Sequence, residues 1–462
     1  MMRSLQISLL AAVLVSGCGG GSGTSVSGAN SPASLTTGAE SPAKTENTGD
    51  ARVVVAVIDS GINPYHEVYH AGGPIYGNSA PSAVTADVLR SFGINESHVL
   101  TLTRTGRFEQ DLAADAAQWA KVKKGEAYWV RGTNLILVGF DAGGLPLLKP
   151  GTGRDPHGVG TSAAVLAAAP NSVLVFVEGT VAESEQFAFS HPAIDIVSTS
   201  YGTPGSVPVL SRAISGSYDG VVKGGKMHVG AADNSPALAT FDGTAGPWWS
   251  VGIAGFDDTS AGREASSGTV PDFLGSFTQS LPYCMDCETG FSTVSGTSFA
   301  TPRAAGVAAQ VLQRVRFASN YRGGITGVDQ GQPVMSSGNG QSVTVWQLRR
   351  ALERAAVQPA TTDFTPTGST SVPVLPVLPA AQVGWGVLSP DDATGTIRRA
   401  VDILLGKEVP DTSAPGTCEI QTGLLQARRL YWDTVNPTSP SFQNAPVTSP
   451  LVTCGGVLPA LP

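Results

Sequence analysis

The sequence predicts an α/β protein. Its core is a three-layer α/β/α arrangement with a mainly parallel central sheet, between a disordered N-terminal tether and a loop-rich C-terminal extension. Three observations carry this. Short, unbroken apolar runs rich in β-branched residues recur along the middle of the chain, as expected for strands buried on both faces. Segments of helical length, rich in small residues, alternate with them, which implies parallel strands joined by crossovers. The two ends lack either pattern.

Residues 53–58 (Val-Val-Val-Ala-Val-Ile) form the first run. Residues 157–169 read as an alanine-rich helix stopped by Pro170, and residues 173–177 as the next strand. Further strands are expected at 194–198, 227–232 and 251–254. Residues 298–315 form a long helix whose Ala304, Ala305, Gly306, Ala308 and Ala309 permit close packing, and 346–356 another helix. The stretch 63–150 is long for a connection between two sheet elements and reads as an insertion with its own structure, a helix at 112–122 and strands at 126–130 and 134–140. Beyond about 360, Pro373, Pro376 and Pro379 interrupt the apolar runs; the sharpest feature there is Gln382-Val383-Gly384-Trp385-Gly386-Val387.

The chain has 462 residues, 41% of them hydrophobic and 14% charged, with 56 glycines. That is ample for a large core. The net charge is −8 and no basic block exceeds Lys123-Lys124, so nucleic acid is not expected as a partner. Met1-Met2-Arg3 followed by an apolar stretch, Leu5 to Val15, reads as a targeting segment too short to span a bilayer comfortably. Val15-Ser16-Gly17-Cys18 resembles a bacterial lipobox, with cleavage before Cys18 and lipid on its thiol; the competing reading is an ordinary signal peptide that contains a cysteine. The expected organisation is a signal peptide over 1–17, a Gly/Ser/Thr/Pro tether over 18–50, the main α/β domain over 51–405 with the insertion at about 63–150, and a loop-rich extension over 406–462. The expected location is the bacterial cell envelope, outside the cytoplasm, lipid-anchored to the cell or outer membrane.

Four other cysteines allow three pairings, among which sequence cannot choose. In an oxidising compartment the expected pairs are Cys284 with Cys287 and Cys418 with Cys454. No second Cys or His pair lies at zinc spacing, so no metal site is expected.

Three separated segments carry the chemistry. Asp59 ends the first apolar run, in Ile58-Asp59-Ser60-Gly61. His157 opens His157-Gly158-Val159-Gly160-Thr161-Ser162-Ala163, and Ser298 lies in Gly296-Thr297-Ser298-Phe299-Ala300-Thr301-Pro302. A serine hydroxyl needs a base to take its proton and an anion to hold that base in the right tautomer. Each segment alone has a bland reading: a strand-end turn, a helix start, a small-residue helix mouth. Together and in this order they point to nucleophilic acyl transfer. Of the six histidines only His157 sits in a Gly-x-Gly-Thr helix entry.

These segments resemble those of the subtilisin-like serine peptidases (subtilases) over roughly residues 52–315, with a weaker echo at 340–405. The resemblance implies a subtilisin-like fold and an endopeptidase acting on extracytoplasmic polypeptides, with Asp59, His157 and Ser298 as the triad. It places the side-chain oxyanion donor at Asn234, in Ala231-Ala232-Asp233-Asn234, beside the Ser298 N–H. Ser200-Tyr201-Gly202 resembles the segment that pairs with extended substrate, and Ala231, Ala232 and Asp233 line the neighbouring pocket. Where the family usually has glycine, this chain has Asp233, which would favour basic side chains or narrow the pocket; where it usually has His, this chain has Arg303. No cofactor is implied. Calcium is common in the family, but Asp257-Asp258, Asp286-x-Glu288 and Asp391-Asp392 read as solvated turns. A monomer is expected. The alternative is a non-catalytic lipoprotein that retains the fold for binding, which a casein assay separates from a peptidase.

Overall fold

A computed structural model describes residues 52–202, 216–234, 244–259 save 246 and 248, 261–264, 267, 271–318, 334–336, 342–357, 383–390 and 395–407. Cys18, the expected tether and the Cys418–Cys454 pair lie outside the described residues.

A ten-stranded sheet forms the centre. Its strands are β1 (Val54–Asp59), β2 (Val99–Leu100), β3 (Ala127–Val130), β4 (Leu135–Gly139), β5 (Val173–Glu178), β6 (Ile196–Thr199), β7 (Met227–Ala231), β8 (Val251–Asp257), β9 (Gly262–Arg263) and β10 (Phe273–Ser276). Their order is β10-β8-β7-β6-β1-β5-β4-β3-β2, with β9 on β8. Pairing is parallel except at β3–β4 and β8–β9. β1 is central, with Val55 opposite Leu174 on one side and Ile196 on the other. All six of its residues are buried, which its unbroken β-branched run requires.

The helices flank this sheet: α1 (Ala86–Ser91), α2 (Phe108–Ala114), α3 (Ala116–Trp119), α4 (His157–Ala168), α5 (Ala182–Ser190), α6 (Thr297–Ala318), α7 (Val345–Ala355) and α8 (Thr396–Leu404). The architecture is the α/β class read from the sequence, a mainly parallel sheet between helices. α4 and α6 pack on one another and over β1. Their approach needs Gly306, where a Cβ would lie 2.6 Å from the Val165 carbonyl oxygen and 2.8 Å from the Ala168 Cβ. A hairpin, β11 (Thr278–Leu281) and β12 (Ser292–Ser295), delivers the chain to α6.

The strands expected at 126–130 and 134–140 in segment 63–150 are β3 and β4, and they lengthen the main sheet, β4 pairing in parallel with β5 from Leu135↔Leu174 to Gly139↔Glu178. The single helix expected at 112–122 is two shorter ones, α2 and α3, meeting at Asp115. The Asp115 carboxylate is bound by the Thr103 amide at 2.7 Å, the Thr103 hydroxyl at 2.8 Å and the Tyr65 hydroxyl at 2.9 Å, a local alternative to continued helix. The Val383–Val387 motif lies along β10: Leu274 N–H donates to the Gly386 carbonyl and Trp385 N–H to the Asp272 carbonyl, both at 2.8 Å.

Candidate active site

The carboxyl ends of β1, β6 and β7 open at the point where the strand order turns back, the place where open parallel sheets hold their ligands. Asp59 is the last residue of β1, 3% exposed. His157 is the first residue of α4. Gly158 lets that helix start against the turn after β1, since a Cβ there would meet the Gly61 carbonyl oxygen at 2.2 Å.

His157 Nδ1 lies 2.9 Å from both Asp59 carboxylate oxygens. Two further donors converge on that carboxylate, the Ser60 N–H at 2.7 Å and the Thr161 hydroxyl at 2.8 Å; the Ser60 hydroxyl oxygen is 3.2 Å away but lies closer to Asp155, at 2.9 Å. Burial alone would raise the Asp59 pKa, but the His157 charge and these hydrogen bonds outweigh it and hold it below the ordinary value. For His157 burial pushes the pKa down, while the charge and hydrogen bond of Asp59, then the charge of Asp155, pull it up; the net direction is upward. With its Nδ1–H directed at Asp59, the neutral ring presents Nε2 as a base. Its side chain is 21% exposed, open to a reactant. The Phe299 ring packs against it, centroids 5.4 Å apart.

Ser298 is the second residue of α6, so its N–H is among the four amides that a helix leaves without an intrahelical acceptor. Its hydroxyl donates to the Ser200 carbonyl oxygen at 3.3 Å, and the Ser200 hydroxyl donates to the Ser298 carbonyl oxygen at 2.8 Å. The second contact follows from Pro302 inside the helix. Proline has no N–H for the carbonyl four residues before it, and that carbonyl belongs to Ser298.

Asn234 Oδ1 accepts the Thr297 N–H at 2.8 Å and the Thr297 hydroxyl at 3.0 Å. With Oδ1 held by Thr297, the NH₂ of the exposed Asn234 side chain is the part left to donate. The Thr297 hydroxyl also reaches the Ala232 carbonyl. Thus Ser200, Ala232 and Asn234, all expected at the site, meet the start of α6. Ala231 is buried at the end of β7, its N–H on the Thr244 hydroxyl at 3.2 Å. Tyr201 turns its hydroxyl to Glu185, 2.9 Å away. Asp233 Oδ1 accepts the following amide, Asn234 N–H, at 2.7 Å, and Gly202 is exposed.

Sequence reasoning assigned no role to Ser60, Thr161, Phe299 or Thr297. All four lie inside the quoted motifs, and a small polar residue beside a carboxylate or an asparagine was the available signal.

Cys284 and Cys287 are joined at the tip of the β11–β12 hairpin, as expected. Among the described residues, His66, Cys284 and Cys287 are the one group whose His, Cys or carboxylate ligand atoms gather within 4.8 Å. The thiols are engaged with each other, and His66 has Nδ1 accepting from Val68 N–H at 3.2 Å and Nε2 on the Gly290 carbonyl at 3.0 Å.

The sequence model of the subtilase family matches residues 151–365. No curated protein matches the chain. Solved structures similar to it include a cold-adapted subtilisin-like serine proteinase, 19% identical, covering 70% of this chain and 89% of that one at a TM-score of 0.37. The prenylagaramide maturation protease PagA is 14% identical, covering 77% and 94% at 0.41. A lanthipeptide protease is 13% identical, covering 77% and 89% at 0.43.

Proposed function

Over residues 151–365 the chain belongs to the subtilase family and is a subtilisin-like serine peptidase, and from that premise we propose that Asp59, His157 and Ser298 are its triad. Asp59 lies before the matched stretch. What supports including it is one observation: the 2.9 Å approach of both its oxygens to His157 Nδ1.

In this reading Ser298 Oγ leaves the Ser200 carbonyl, turns to His157 Nε2 and attacks the scissile carbonyl carbon. His157 takes the hydroxyl proton and then delivers it to the departing amine, and water hydrolyses the acyl ester by the same path in reverse. Asp59 orients the ring and stabilises the imidazolium. The Asn234 amide and the Ser298 N–H receive the developing oxyanion. Hydrogen-bonding contacts of this kind often tighten only when substrate arrives, so the resting position of Ser298 Oγ is compatible with attack.

Ser200, Tyr201 and Gly202 pair with extended substrate, next to a pocket edged by Ala231, Ala232 and Asp233. The substrates are extracytoplasmic polypeptides, cleaved internally. The enzyme is tethered to the cell envelope through lipid on Cys18, with residues 18–50 as the spacer. The test is casein hydrolysis by the full-length chain: Ser298→Ala, His157→Ala and Asp59→Ala should each abolish most activity without loss of fold. Retained activity in Ser298→Ala would refute the assignment.

A further inference from the structure

The carboxylate of Asp155 joins the two halves of the Asp59–His157 pair from outside. Its Oδ1 accepts the His157 N–H at 3.0 Å, and its Oδ2 accepts the Ser60 hydroxyl at 2.9 Å. Ser60 is the residue after Asp59 and gives its own N–H to that carboxylate at 2.7 Å. A short loop therefore closes from Asp59 through Ser60 and Asp155 to the backbone of His157. Pro156, the capping residue before the helix with φ −80°, holds the two-residue offset that lets Asp155 reach both partners.

The cation beside Asp155 is already engaged. Arg154 pairs with the buried Glu178 through Nη2, and its Nη1 bonds the carbonyl oxygens of Pro146, at 2.7 Å, and Lys149. Around His157, Asp59 and Asp155 supply the negative charge. Tyr69 and Tyr201, which face Asp59, stay neutral because burial pushes both phenols up. The Phe299 ring lies beside His157, tilted by 45°, and Tyr283 stands edge-on to Phe299.

We propose that Asp155 is a positioning residue for the peptidase reaction, holding the His157 backbone against Ser60 and acting as a second anionic partner of the His157 imidazolium. It touches neither nucleophile nor substrate, and it acts through the base. Its charge also contributes to the upward displacement of the His157 pKa. Because Asp155 is exposed, its electrostatic effect is screened by salt.

The inference rests on the proposed role of His157, so its test is independent of hydrolysis. Histidine labelled at Cε1 is titrated by NMR in full-length Ser298→Ala protein, with and without Asp155→Asn. Removing the anion disfavours the imidazolium, so the His157 midpoint should move to lower pH, and by more at 10 mM than at 1 M salt. Asp155→Glu should retain the midpoint. Ser60→Ala, which opens the loop and keeps the charge, should not produce the salt-dependent displacement. Asp155→Ser, which keeps a short acceptor, serves as a second charge-free variant should Asp155→Asn not fold. In the Ser298-containing enzyme the neutral variants should lose roughly two- to five-fold in kcat with KM little changed. A midpoint unmoved at low salt, or moved equally at both salt concentrations, would overturn the proposal. If the peptidase assignment alone were wrong, the NMR displacement would persist while Ser298→Ala still hydrolysed peptide.

Discussion

Ser200 and Ser298 hold each other by two reciprocal hydrogen bonds, hydroxyl to carbonyl in both directions, at 2.8 and 3.3 Å. Pro302 explains half of the pair, because it leaves the Ser298 carbonyl without its helical donor. Ser200→Ala should strand that carbonyl in a part-buried position and cost about 1–3 kcal/mol of stability. The double variant Ser200→Ala/Pro302→Ala restores a backbone N–H at position 302 and should recover part of the loss. Denaturant unfolding measures both, and equal stability of the two variants would contradict this account.

The Asn234 amide is aimed by Thr297, which takes its oxygen with both an N–H and a hydroxyl. Asn234→Asp keeps the shape and removes the NH₂ donor. The expected loss is roughly 10²- to 10³-fold in kcat with little change in KM, the scale of deleting one oxyanion donor. Thr297→Val should lose less, since the backbone N–H remains to hold Oδ1.

In the proposed mechanism the free base of His157 performs the first proton transfer, so activity should rise with pH through its midpoint. Asp59, aided by Asp155, outweighs burial and sets that midpoint above the ordinary histidine value of ~6.5. A kcat/KM profile on a small peptide substrate checks the direction. Asp59→Asn should lower the midpoint and cut the rate by about 10⁴-fold, as the anion that fixes the tautomer is lost.

Acid should unfold this protein through its other histidines. Burial pushes His66, His70 and His191 down to about 4 and His228 to about 3. In the unfolded chain each binds its proton near ~6.5. Between these values the unfolded state binds more protons, so stability falls as pH drops from ~6.5 toward 4. His228 is fully buried between the Thr199 and Ser250 hydroxyls, at 2.7 and 2.5 Å. It alone should add a slope approaching ~1.4 kcal/mol per pH unit. Thermal melts of His228→Gln across this range should show a shallower acid dependence than those of the parent.

Arg349 is a buried cation that fastens α7 to the sheet. It bonds Asp272 at 2.8 Å, the Ser250 carbonyl at 3.0 Å and Glu353 at 3.4 Å. Arg349→Ala removes a buried cation from beside two buried carboxylates and should cost about 3–5 kcal/mol, whereas surface pairs such as Arg90–Asp87 should cost little. Urea unfolding of the two alanine variants gives the comparison.

The central strands and both site helices were legible because their burial is written as composition. β1 and β5 are unbroken apolar runs, and α6 carries the small residues that let it approach α4. α5 escaped notice because Ser184 and Glu185 are among its buried residues, so its inward face does not read as apolar. β11 and β12 are polar, Thr278-Gln279-Ser280-Leu281 and Ser292-Thr293-Val294-Ser295, and β10 has only Phe273 and Leu274 before a glycine, so none offers an apolar run to read. At the site, spacing and residue type indicated Asp59, His157, Ser298 and Asn234, but not what aims them. Thr161, Thr297 and Asp155 act through hydrogen bonds set by tertiary placement, which leave no periodic trace in the chain.

The most direct test is to treat the full-length protein with a fluorophosphonate and map the modified residue by mass spectrometry. The account predicts a single adduct on Ser298, lost in Ser298→Ala and greatly slowed in His157→Ala. An adduct elsewhere, or labelling that is unaffected by the loss of His157, would contradict it.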